Sequence, residues 1–371
     1  MSTERLVFLA GRRALERIRA NGLASHDVRA VAGAAGGPKW LILGHLDRLL
    51  FGSWFRGRRQ PLHLLGSSIG SWRLAADSCG DPVAAIDRLE DAYIHQVYES
   101  KPTPQEITAR SLSIIDHALG PSGPTEVLTH ATNRLHLVAV YSRHLLARER
   151  RLPLALGLAA AVTANLLNRS LLKWFFRQTL FSDPRNRPSF ASLGRSPNAR
   201  AGLSPDNLKL ALLASGSIPY IMAGVRDIPH AAPGVYRDGG AVDYHLDVPF
   251  GLNGSGIILY PHFSRRVVPG WFDKHLSWRR PSAVNMADVL LIAPSEAFVS
   301  RLPNGKITDR GDFFAYAGDD RGRFACWQRV ADAGRTLADD FIEAVESGSI
   351  RRRVAPLLGN RLGRDIRPDG P

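Results

Sequence analysis

Ser68 is the residue whose type and surroundings most directly suggest chemistry. It lies at the centre of the pentapeptide GSSIG at residues 66–70. The apolar run at 62–65 predicts a short buried strand before it, and the residues after it can begin a helix. A G-x-S-x-G sequence between a strand and a helix is typical of a nucleophile elbow. Gly66 and Gly70 suit the crowded flanks of this turn, and the helix directs its N–H groups toward negative charge near the serine. We therefore expect Ser68 to be a nucleophile.

A carboxylate at a second strand end is the candidate base. Asp238 follows a predicted strand at 235–237 and precedes Gly239 and Gly240. Such a carboxylate can hydrogen-bond the Ser68 hydroxyl and take its proton during attack on an acyl carbonyl. It would need partial desolvation, because a carboxylate with an ordinary pKa is a weak base. The alternative interpretation of the same residues is an ordinary Asp-Gly turn.

A third glycine-rich turn, GGPK at 36–39, follows a predicted strand at 28–31. The adjacent Gly36 and Gly37 leave backbone N–H groups that can stabilise an oxyanion, whereas Pro38 has no N–H to offer. A flexible turn or a phosphate-binding loop is the alternative. The turn is not a Walker motif, because no G-K-[ST] follows, and it lacks the G-x-G-x-x-G of a dinucleotide site.

The elements that must position these turns alternate between strands and helices. Predicted strands lie at 28–31, 62–65, 134–142, 235–237, 257–260 and 289–292, and predicted helices at 5–20, 40–50, 82–100, from 104 onward, 152–178, 205–216 and 324–345. This alternation predicts an α/β fold with a mostly parallel central sheet. Sites in such sheets lie at the carboxyl ends of strands, and all three glycine-rich turns follow predicted strands.

Taken together, the motifs resemble the patatin-like phospholipase family, in the form of a bacterial-type patatin-like acyl hydrolase. That family has a glycine-rich oxyanion loop, a G-x-S-x-G serine, an A-S-x-x-x-P segment and a D-G-[GA] aspartate, in this order. The chain has GGPK at 36–39, GSSIG at 66–70, ASGSIP at 214–219 and DGG at 238–240. The resemblance covers about residues 28–249 and leaves the last third of the chain unassigned.

The resemblance implies a three-layer α/β/α sandwich and hydrolysis of lipid acyl esters, as in phospholipase A or carboxylesterase action and lipid degradation. It implies a catalytic dyad of Ser68 and Asp238 without a histidine, and it implies no cofactor. The remaining residues that it assigns are the oxyanion donors Gly36 and Gly37, the supporting residues Lys39, Gly66, Gly70, Gly239 and Gly240, and the acyl-site lining Ile69, Ile218, Pro219 and Tyr220. The chain departs from the family in the oxyanion loop, where Ala35 stands before the two glycines and Trp40 follows Lys39.

We expect a single domain over residues 1–350, followed by a basic tail at 351–371 that frays. The segment 182–204, rich in Pro, Arg, Asn and Ser, is expected to be a loop insertion, either a lid or a plain surface loop. The apolar segment 152–178 has two interpretations. It is a helix buried beside the sheet, or it covers the acyl channel and lies in a membrane interface.

Composition narrows the partners. The 371 residues are 44% hydrophobic, which suits a globular fold, and the net charge of +14 favours anionic partners. The arginines are dispersed, so a lipid or other acyl-ester substrate and an anionic membrane are expected rather than nucleic acid. The presence of only two cysteines and the lack of a signal-peptide pattern favour a cytoplasmic protein, and the basic charge favours peripheral contact with membranes. Because the sequence has no H-E-x-x-H spacing, we expect no metal site.

Two rival functions remain open at this stage. In the first, the same serine works in a Ser-His-Asp triad that uses His245, His262 or His275, all of which follow Asp238 in the chain. In the second, the chain is a non-catalytic protein that binds anionic lipid on the same scaffold.

Overall fold

A mixed, mostly parallel sheet flanked by helices on both faces forms the centre of the molecule, in a three-layer α/β/α arrangement. This architecture comes from a computed structural model, which describes residues 4–99, 101–186, 188–190, 193 and 199–358. The prediction of an α/β fold with a mostly parallel sheet is confirmed.

Eleven strands in the described residues form the sheet. They are β1 (Leu6–Ala10), β2 (Val28–Gly33), β3 (Leu62–Ser67), β4 (Asn133–Ser142), β5 (Phe176–Ser182), β6 (Ala199–Gly202), β7 (Val225–Arg226), β8 (Val235–Asp238), β9 (Ile257–Pro261), β10 (Val289–Pro294) and β11 (Val354–Pro356). Their order is β11-β1-β10-β9-β2-β3-β4-β5-β6, and β8 pairs with β4 and β7.

The α-helices of the described residues are α1 (Arg12–Asn21), α2 (Gly44–Leu49), α3 (Ile69–Ala76), α4 (Pro82–Ile94), α5 (Pro104–Leu119), α6 (Gly123–Thr129), α7 (Arg151–Leu167), α8 (Leu208–Gly216), α9 (Glu296–Val299), α10 (Asp312–Ala315), α11 (Asp320–Ala333), α12 (Arg335–Glu346) and α13 (Ile350–Arg353). Short 3₁₀ segments at Ser25–Asp27, Gly37–Leu43, His144–Ala147, Arg169–Trp174, Gly239–Ala241, Trp271–Asp273 and Pro303–Gly305, with a π-helical turn at Leu50–Trp54, complete the list. None of the helices in these ranges has both the length and the apolar character needed to cross a membrane.

The centre of the sheet is a run of five parallel strands, β10-β9-β2-β3-β4, with antiparallel pairs where β10 meets β1 and where β4 meets β5. Every residue of β9 and β10 is buried. Strands covered by helices on both faces are apolar throughout, which explains why these two read as continuous apolar runs.

One edge of β4 is shared by two strands, and this arrangement assembles the site. β3 runs parallel to the first part of β4, where Ser67 pairs with Val138. β8 runs antiparallel to the next part, where Asp238 pairs with Ala139. β5 occupies the other edge of β4. The carboxyl ends of β3 and β8 therefore meet head to head.

The predicted N-terminal helix over 5–20 is wrong in its first half. Leu6–Ala10 is β1, in which alternate residues are buried, and it pairs with β10. Gly11 ends the strand against the backbone of the loop that contains Met286, and α1 begins at Arg12. The alternating burial of β1 belongs to a strand, which the helical spacing of the following residues obscured.

The predicted helix over 152–178 is also wrong in its second half. α7 ends at Leu167, and Asn168 adopts an extended conformation in which its side chain accepts a hydrogen bond from the Ser170 amide. Phe176–Ser182 is then β5, which is paired with β4 over its whole length. A seven-residue segment with two phenylalanines suits a strand as well as a helix. It becomes a strand because it pairs with an edge of β4.

Smaller differences concern helix ends. The helix predicted over 82–100 is α4, which Asp81 caps, but it stops at Ile94. Thr103 caps α5, and the Glu106 carboxylate accepts from the Glu99 amide in the segment before it. The predicted helix over 324–345 is two helices, α11 and α12, separated at Gly334.

The start of the predicted tail is ordered, since residues 350–353 form α13 and β11 pairs with β1. The rest of that tail, residues 359–371, and part of the predicted loop insertion at 182–204 lie outside the described residues. The single domain over 1–350 stays a prediction.

Candidate active site

Ser68 occupies the turn between β3 and α3 in a conformation that L-residues rarely adopt, with φ of 54° and ψ of −131°. The turn is held by two other serines. The Ser68 amide donates to Ser215 Oγ (2.9 Å), and Ser71 Oγ donates to the Ser68 carbonyl (2.6 Å). Backbone strain of this kind persists only where surrounding contacts enforce it. The side chain is thus held in a fixed orientation, with only 4% of the residue exposed.

The glycines of the pentapeptide are required by close backbone contacts. A Cβ on Gly70 would lie 2.1 Å from the Gly33 carbonyl oxygen, and one on Gly66 would lie 2.4 Å from Ser71 Cα. Both distances are far below any van der Waals contact, so no side chain fits at either position. The ends of β2 and β3 are therefore drawn together on either side of Ser68.

Asp238 contacts the serine directly. Ser68 Oγ donates to Asp238 Oδ2 (2.9 Å), while the Gly240 amide donates to Asp238 Oδ1 (2.7 Å). Burial raises the pKa of the Asp238 carboxyl, and the positive charge of Arg310 and the two hydrogen bonds counteract part of that rise. A raised pKa makes a carboxylate a better base, which is the property that the sequence-based hypothesis requires.

Gly36 lines the same cavity as this pair, and Gly37 follows it next to the Arg310 side chain. Gly37 has φ of 57°, in the left-handed region that favours glycine, and begins the 3₁₀ segment Gly37–Leu43. The amide of Ala35 donates to the Tyr244 carbonyl (3.0 Å), but no described residue accepts from the amide of Gly36 or Gly37. Two unpaired N–H groups next to a serine are able to receive a developing oxyanion.

A small cavity, partly open to solvent, connects these groups. Its wall contains Ala35, Gly36, Ser68, Leu158, Ile218, Pro219, Asp238, Gly240, Ala241, Tyr244, Trp271, Phe272 and Arg310. Of the four predicted lining residues, Ile218 and Pro219 are in the wall. Ile69 is instead buried in the main core at the start of α3, and Tyr220 is nearly half exposed, so neither lines the cavity.

Sequence reasoning missed most of the wall residues that come from outside the four motifs. Leu158 comes from α7, within the segment 152–178 for which covering the acyl channel is one of the two interpretations. The aromatic pair Trp271 and Phe272 comes from a 3₁₀ turn after β9, which the sequence did not indicate. Arg310 follows from the last third of the chain, where the motifs gave no assignment. The only sequence signal for them is the Gly-Trp-Phe run at 270–272, which has no specific meaning by itself.

Three cations surround the site. Burial, followed by the positive charges of Arg310 and Lys39, lowers the pKa of Lys274 to about 8. Burial also lowers the pKa of Lys39, whose ammonium lies 5.2 Å from the Phe263 ring. Within the described part of the chain, no carboxylate forms an ion pair with Lys39, Lys274 or Arg310. Their charge is therefore available to an anionic group in the cavity.

Two of the three histidines considered for a triad, His245 and His262, are engaged elsewhere, and the third, His275, is exposed. His245 is buried, its Nδ1 accepts from the Val268 amide, and burial holds its pKa well below the usual range. Burial lowers the pKa of His262 to about 3, and its Nδ1 accepts from the Ser264 amide. Neither Ser68 nor Asp238 hydrogen-bonds a histidine in the described residues. The same residues contain no group of three or more His, Cys, Asp or Glu arranged to hold a metal ion.

Comparisons with known proteins add little. No protein-family model and no curated protein matches the sequence. Among solved structures, the chain is similar to VipD from Legionella pneumophila, with a TM-score of 0.31 and 12% identity. The match covers 63% of this chain and half of VipD. A likeness at this level carries no argument about the site or its chemistry.

The strained turn predicts an unusual order of stabilities. Ser68→Gly and Ser68→Ala both remove the hydroxyl, but only glycine relieves the positive φ. Strain of this kind amounts to about 1–3 kcal/mol, partly offset by the greater freedom of glycine in the unfolded chain. We expect the glycine variant to be more stable than the alanine variant by about 1 kcal/mol in urea unfolding. Equal stabilities, or a more stable alanine variant, would show that the turn is unstrained.

The bridging role of Ser215 gives a second prediction. Ser215 Oγ accepts from the Ser68 amide and donates to the Val138 carbonyl (2.7 Å), so Ser215→Ala leaves two buried backbone groups without partners. We expect a loss of about 1–3 kcal/mol in the free energy of unfolding. Ser217→Ala is the matched control, because Ser217 is equally buried but its hydroxyl bonds only the Leu213 carbonyl of the preceding helix. A loss no larger than in this control would contradict the bridging role.

Proposed function

We propose that the protein is a serine acyl-ester hydrolase that acts on lipids with a patatin-like dyad of Ser68 and Asp238. The observation that carries the proposal is the 2.9 Å hydrogen bond from Ser68 Oγ to Asp238 Oδ2 at the floor of a cavity that also contains Gly36. A base within hydrogen-bond reach of a nucleophile is the geometry that acyl transfer requires.

In the first step, Ser68 Oγ attacks the carbonyl carbon of the ester and its proton passes to Asp238 Oδ2. The negative charge that forms on the carbonyl oxygen is stabilised by the amides of Gly36 and Gly37, since backbone donors fixed in a turn can stabilise an oxyanion without reorganisation. The C–O bond to the alcohol then breaks, and the alcohol leaves with the proton from Asp238. The acyl group remains on Ser68 as an ester.

In the second step, water attacks the acyl-enzyme carbonyl and gives a proton to Asp238. The tetrahedral intermediate collapses, the carboxylic acid leaves, and the proton returns to Ser68 Oγ. Asp238 therefore acts as base and then as acid in each half of the cycle. The raised pKa of its carboxyl suits both roles, since a group that is too acidic holds a proton poorly.

The walls of the cavity suit an acyl chain next to a charged head. Leu158, Ile218 and Phe272 are apolar, whereas Lys39, Lys274 and Arg310 bring positive charge to the same region. We infer that the substrate is an acyl ester with an anionic group near the ester bond, as in a phospholipid. An apolar surface of this kind is what a small-molecule site uses for affinity, while the few polar groups select the substrate.

The direct test uses a fluorophosphonate probe, which reacts with activated serines. We expect the probe to modify Ser68, with the site found by mass spectrometry, because the hydroxyl is polarised by Asp238. Ser68→Ala should abolish both labelling and ester hydrolysis, a loss of roughly three orders of magnitude or more. Asp238→Asn should suppress both strongly, since Asn accepts no proton.

Ser78→Ala is the control, because Ser78 is buried just after α3 and its hydroxyl bonds only the Leu74 carbonyl, away from the Ser68 turn. Labelling and hydrolysis should survive in that variant. Labelling at another residue, or hydrolysis that persists in Ser68→Ala, would refute the mechanism.

The pKa of Lys274 predicts a dependence on pH. As pH rises through about 8, Lys274 loses its proton, so kcat/KM for an anionic ester should fall. As pH falls, Asp238 becomes protonated, and the acidic limb should lie above the ordinary carboxyl range because burial raises that pKa. Lys274→Met should remove the alkaline limb and lower kcat/KM for anionic esters at neutral pH by roughly tenfold.

Lys274→Met should also move the acidic limb to higher pH, because Lys274 lowers the pKa of Asp238. Lys274→Arg is the control, since arginine keeps its charge across the range and should retain activity without the alkaline limb. A neutral short-chain ester should show no limb near pH 8 with the native protein. A limb near pH 8 that persists in Lys274→Met would assign it to another group.

A further inference from the structure

The outer face of α7 is apolar and open to solvent. Its exposed residues include Leu152, Leu156, Val162, Leu166 and Leu167, the last with 76% of its surface exposed. No charged residue occurs between Arg151 and Arg169. We call these five side chains the α7 face. A surface helix of a globular protein normally carries polar side chains on the side opposite its core contact, so this face needs an explanation.

The α7 face is separate from the side of the helix that packs on the protein. The helix packs on the protein through a separate stripe of buried residues, Leu154, Gly157, Ala161 and Asn165. The spacing of that stripe is three to four residues, as expected for one side of a helix. Both sides of the helix are therefore apolar, one against the protein and one against solvent.

The α7 face continues to the mouth of the cavity. Leu158, on the same helix, lines the cavity together with Trp271 and Phe272. The loop that contains these aromatic residues is fixed to the end of α7, since the Arg279 guanidinium donates to the Asn165 carbonyl (2.8 Å). Trp271 and Trp278 on this loop are both exposed, and so are Tyr220 and Ile221, which directly follow the wall residues Ile218 and Pro219.

Positive charge borders the α7 face at both ends. Residues 143–177 contain seven basic residues and one acidic residue. The acidic residue, Glu149, is paired with Arg237 (2.8 Å). Arg148, Arg150, Arg151 and Lys173 are exposed, and the Lys173 ammonium lies 5.8 Å from the ring of the exposed Trp174. Apolar side chains flanked by basic residues and tryptophans are typical of a helix that lies in the interface of an anionic membrane.

We propose that the α7 face docks on an anionic lipid surface and thereby presents the mouth of the cavity to the bilayer. The proposal deepens the proposed function, on which its account of substrate access rests. A second copy of this chain fits less well, because symmetric pairing would bring the basic ends of both helices together in a molecule with a net charge of +14. A lipid surface offers both the apolar layer and the negative charge.

Vesicle co-sedimentation tests the proposal. The protein carries Ser68→Ala, so that hydrolysis cannot alter the vesicles, and is mixed with phosphatidylcholine vesicles with or without phosphatidylglycerol. We expect binding only to the vesicles that contain phosphatidylglycerol, weakening as salt is added. Leu156→Asp with Leu167→Asp should weaken binding by roughly tenfold or more, because both charges would enter the apolar layer. Arg150→Gln with Arg151→Gln should weaken it by about tenfold.

Matched controls come from the amino ends of the parallel strands, whereas the cavity lies at the carboxyl end of β3. Val284 is as exposed as Leu167 but lies just before β10 begins, so Val284→Asp should not change binding. Arg56→Gln with Arg59→Gln removes two exposed arginines near the start of β3 and should also leave binding unchanged. A thermal melt of each variant confirms that it is folded, as expected for changes at exposed positions.

Several outcomes would overturn the proposal. The Ser68→Ala protein would fail to bind anionic vesicles, or the protein that also carries Leu156→Asp and Leu167→Asp would bind them as well as Ser68→Ala does. The third such outcome is that the control substitutions weaken binding as much as the substitutions on and beside the α7 face. A dimer that dissociates in the leucine variant, without vesicle binding, would assign the α7 face to self-association. Failure of the proposed function is seen separately, as absent fluorophosphonate labelling and absent turnover of a soluble ester by the native protein, since neither measurement involves vesicles.

Discussion

The candidate site depends on how β4 divides one of its edges between two strands. β3 ends beside Val138 and β8 ends beside Ala139, so the next residue after β3 and the last residue of β8 come within hydrogen-bond distance. The Val138 carbonyl is the centre of this junction. It accepts from Ser215 Oγ, and a Cβ on Gly239 would lie only 2.2 Å from its oxygen. A shift of one residue in either register would separate the serine from the aspartate.

The electrostatics of the site follow from burial more than from any single ion pair. The Asp238 carboxyl is almost wholly buried, which favours its neutral form, while Arg310 and Lys274 favour its charged form. Burial, and after it the positive charges of Arg310 and Lys39, lowers the pKa of Lys274, whereas the nearby Asp238 carboxylate acts in the opposite direction. Burial therefore moves the pKa of the carboxyl up and that of Lys274 down, while the attraction between the two charges opposes both shifts. A base that both accepts and returns a proton works best when its pKa lies nearer to neutral pH.

The sequence predicts the parts of this site that are local and fails on the parts that topology creates. Ser68, Asp238 and Gly36 each stand in a short pattern at a strand end, and these patterns were enough to bring them into one hypothesis. Ser68 and Gly36 follow parallel strands, whose carboxyl ends lie at the same end of the sheet. Asp238 instead reaches Ser68 because β8 runs antiparallel to β4, which no local pattern indicates. Arg310 and Phe272 carry no such pattern. They reach the cavity because β9 and β10 complete the sheet beside β2.

The errors in secondary structure have a similar origin. Leu6–Ala10 and Phe176–Ser182 are short runs that suit a strand or a helix, and each becomes a strand because an unpaired edge lies beside it, on β10 in one case and on β4 in the other. The pattern of a short segment does not indicate such an edge. The edge beside Leu6–Ala10 belongs to β10, more than a hundred residues away, and the edge beside Phe176–Ser182 belongs to the separate strand β4.

Rigid attachment of α7 to the mouth of the cavity gives the exposed apolar face its significance. The buried Asp273 accepts from Asn165 Nδ2 (2.8 Å) and from the Arg169 guanidinium (2.5 Å), both at the end of the α7 segment, and from the Gly270 amide (3.1 Å) in the loop beside it. A carboxylate with this many donors fixes the helix and the Trp271 loop relative to each other. Whatever binds the outer face of α7 is therefore held at a constant distance from Ser68. Close packing on the inner side of the helix fixes it further, since a Cβ on Gly157 would lie only 3.1 Å from the Leu146 side chain.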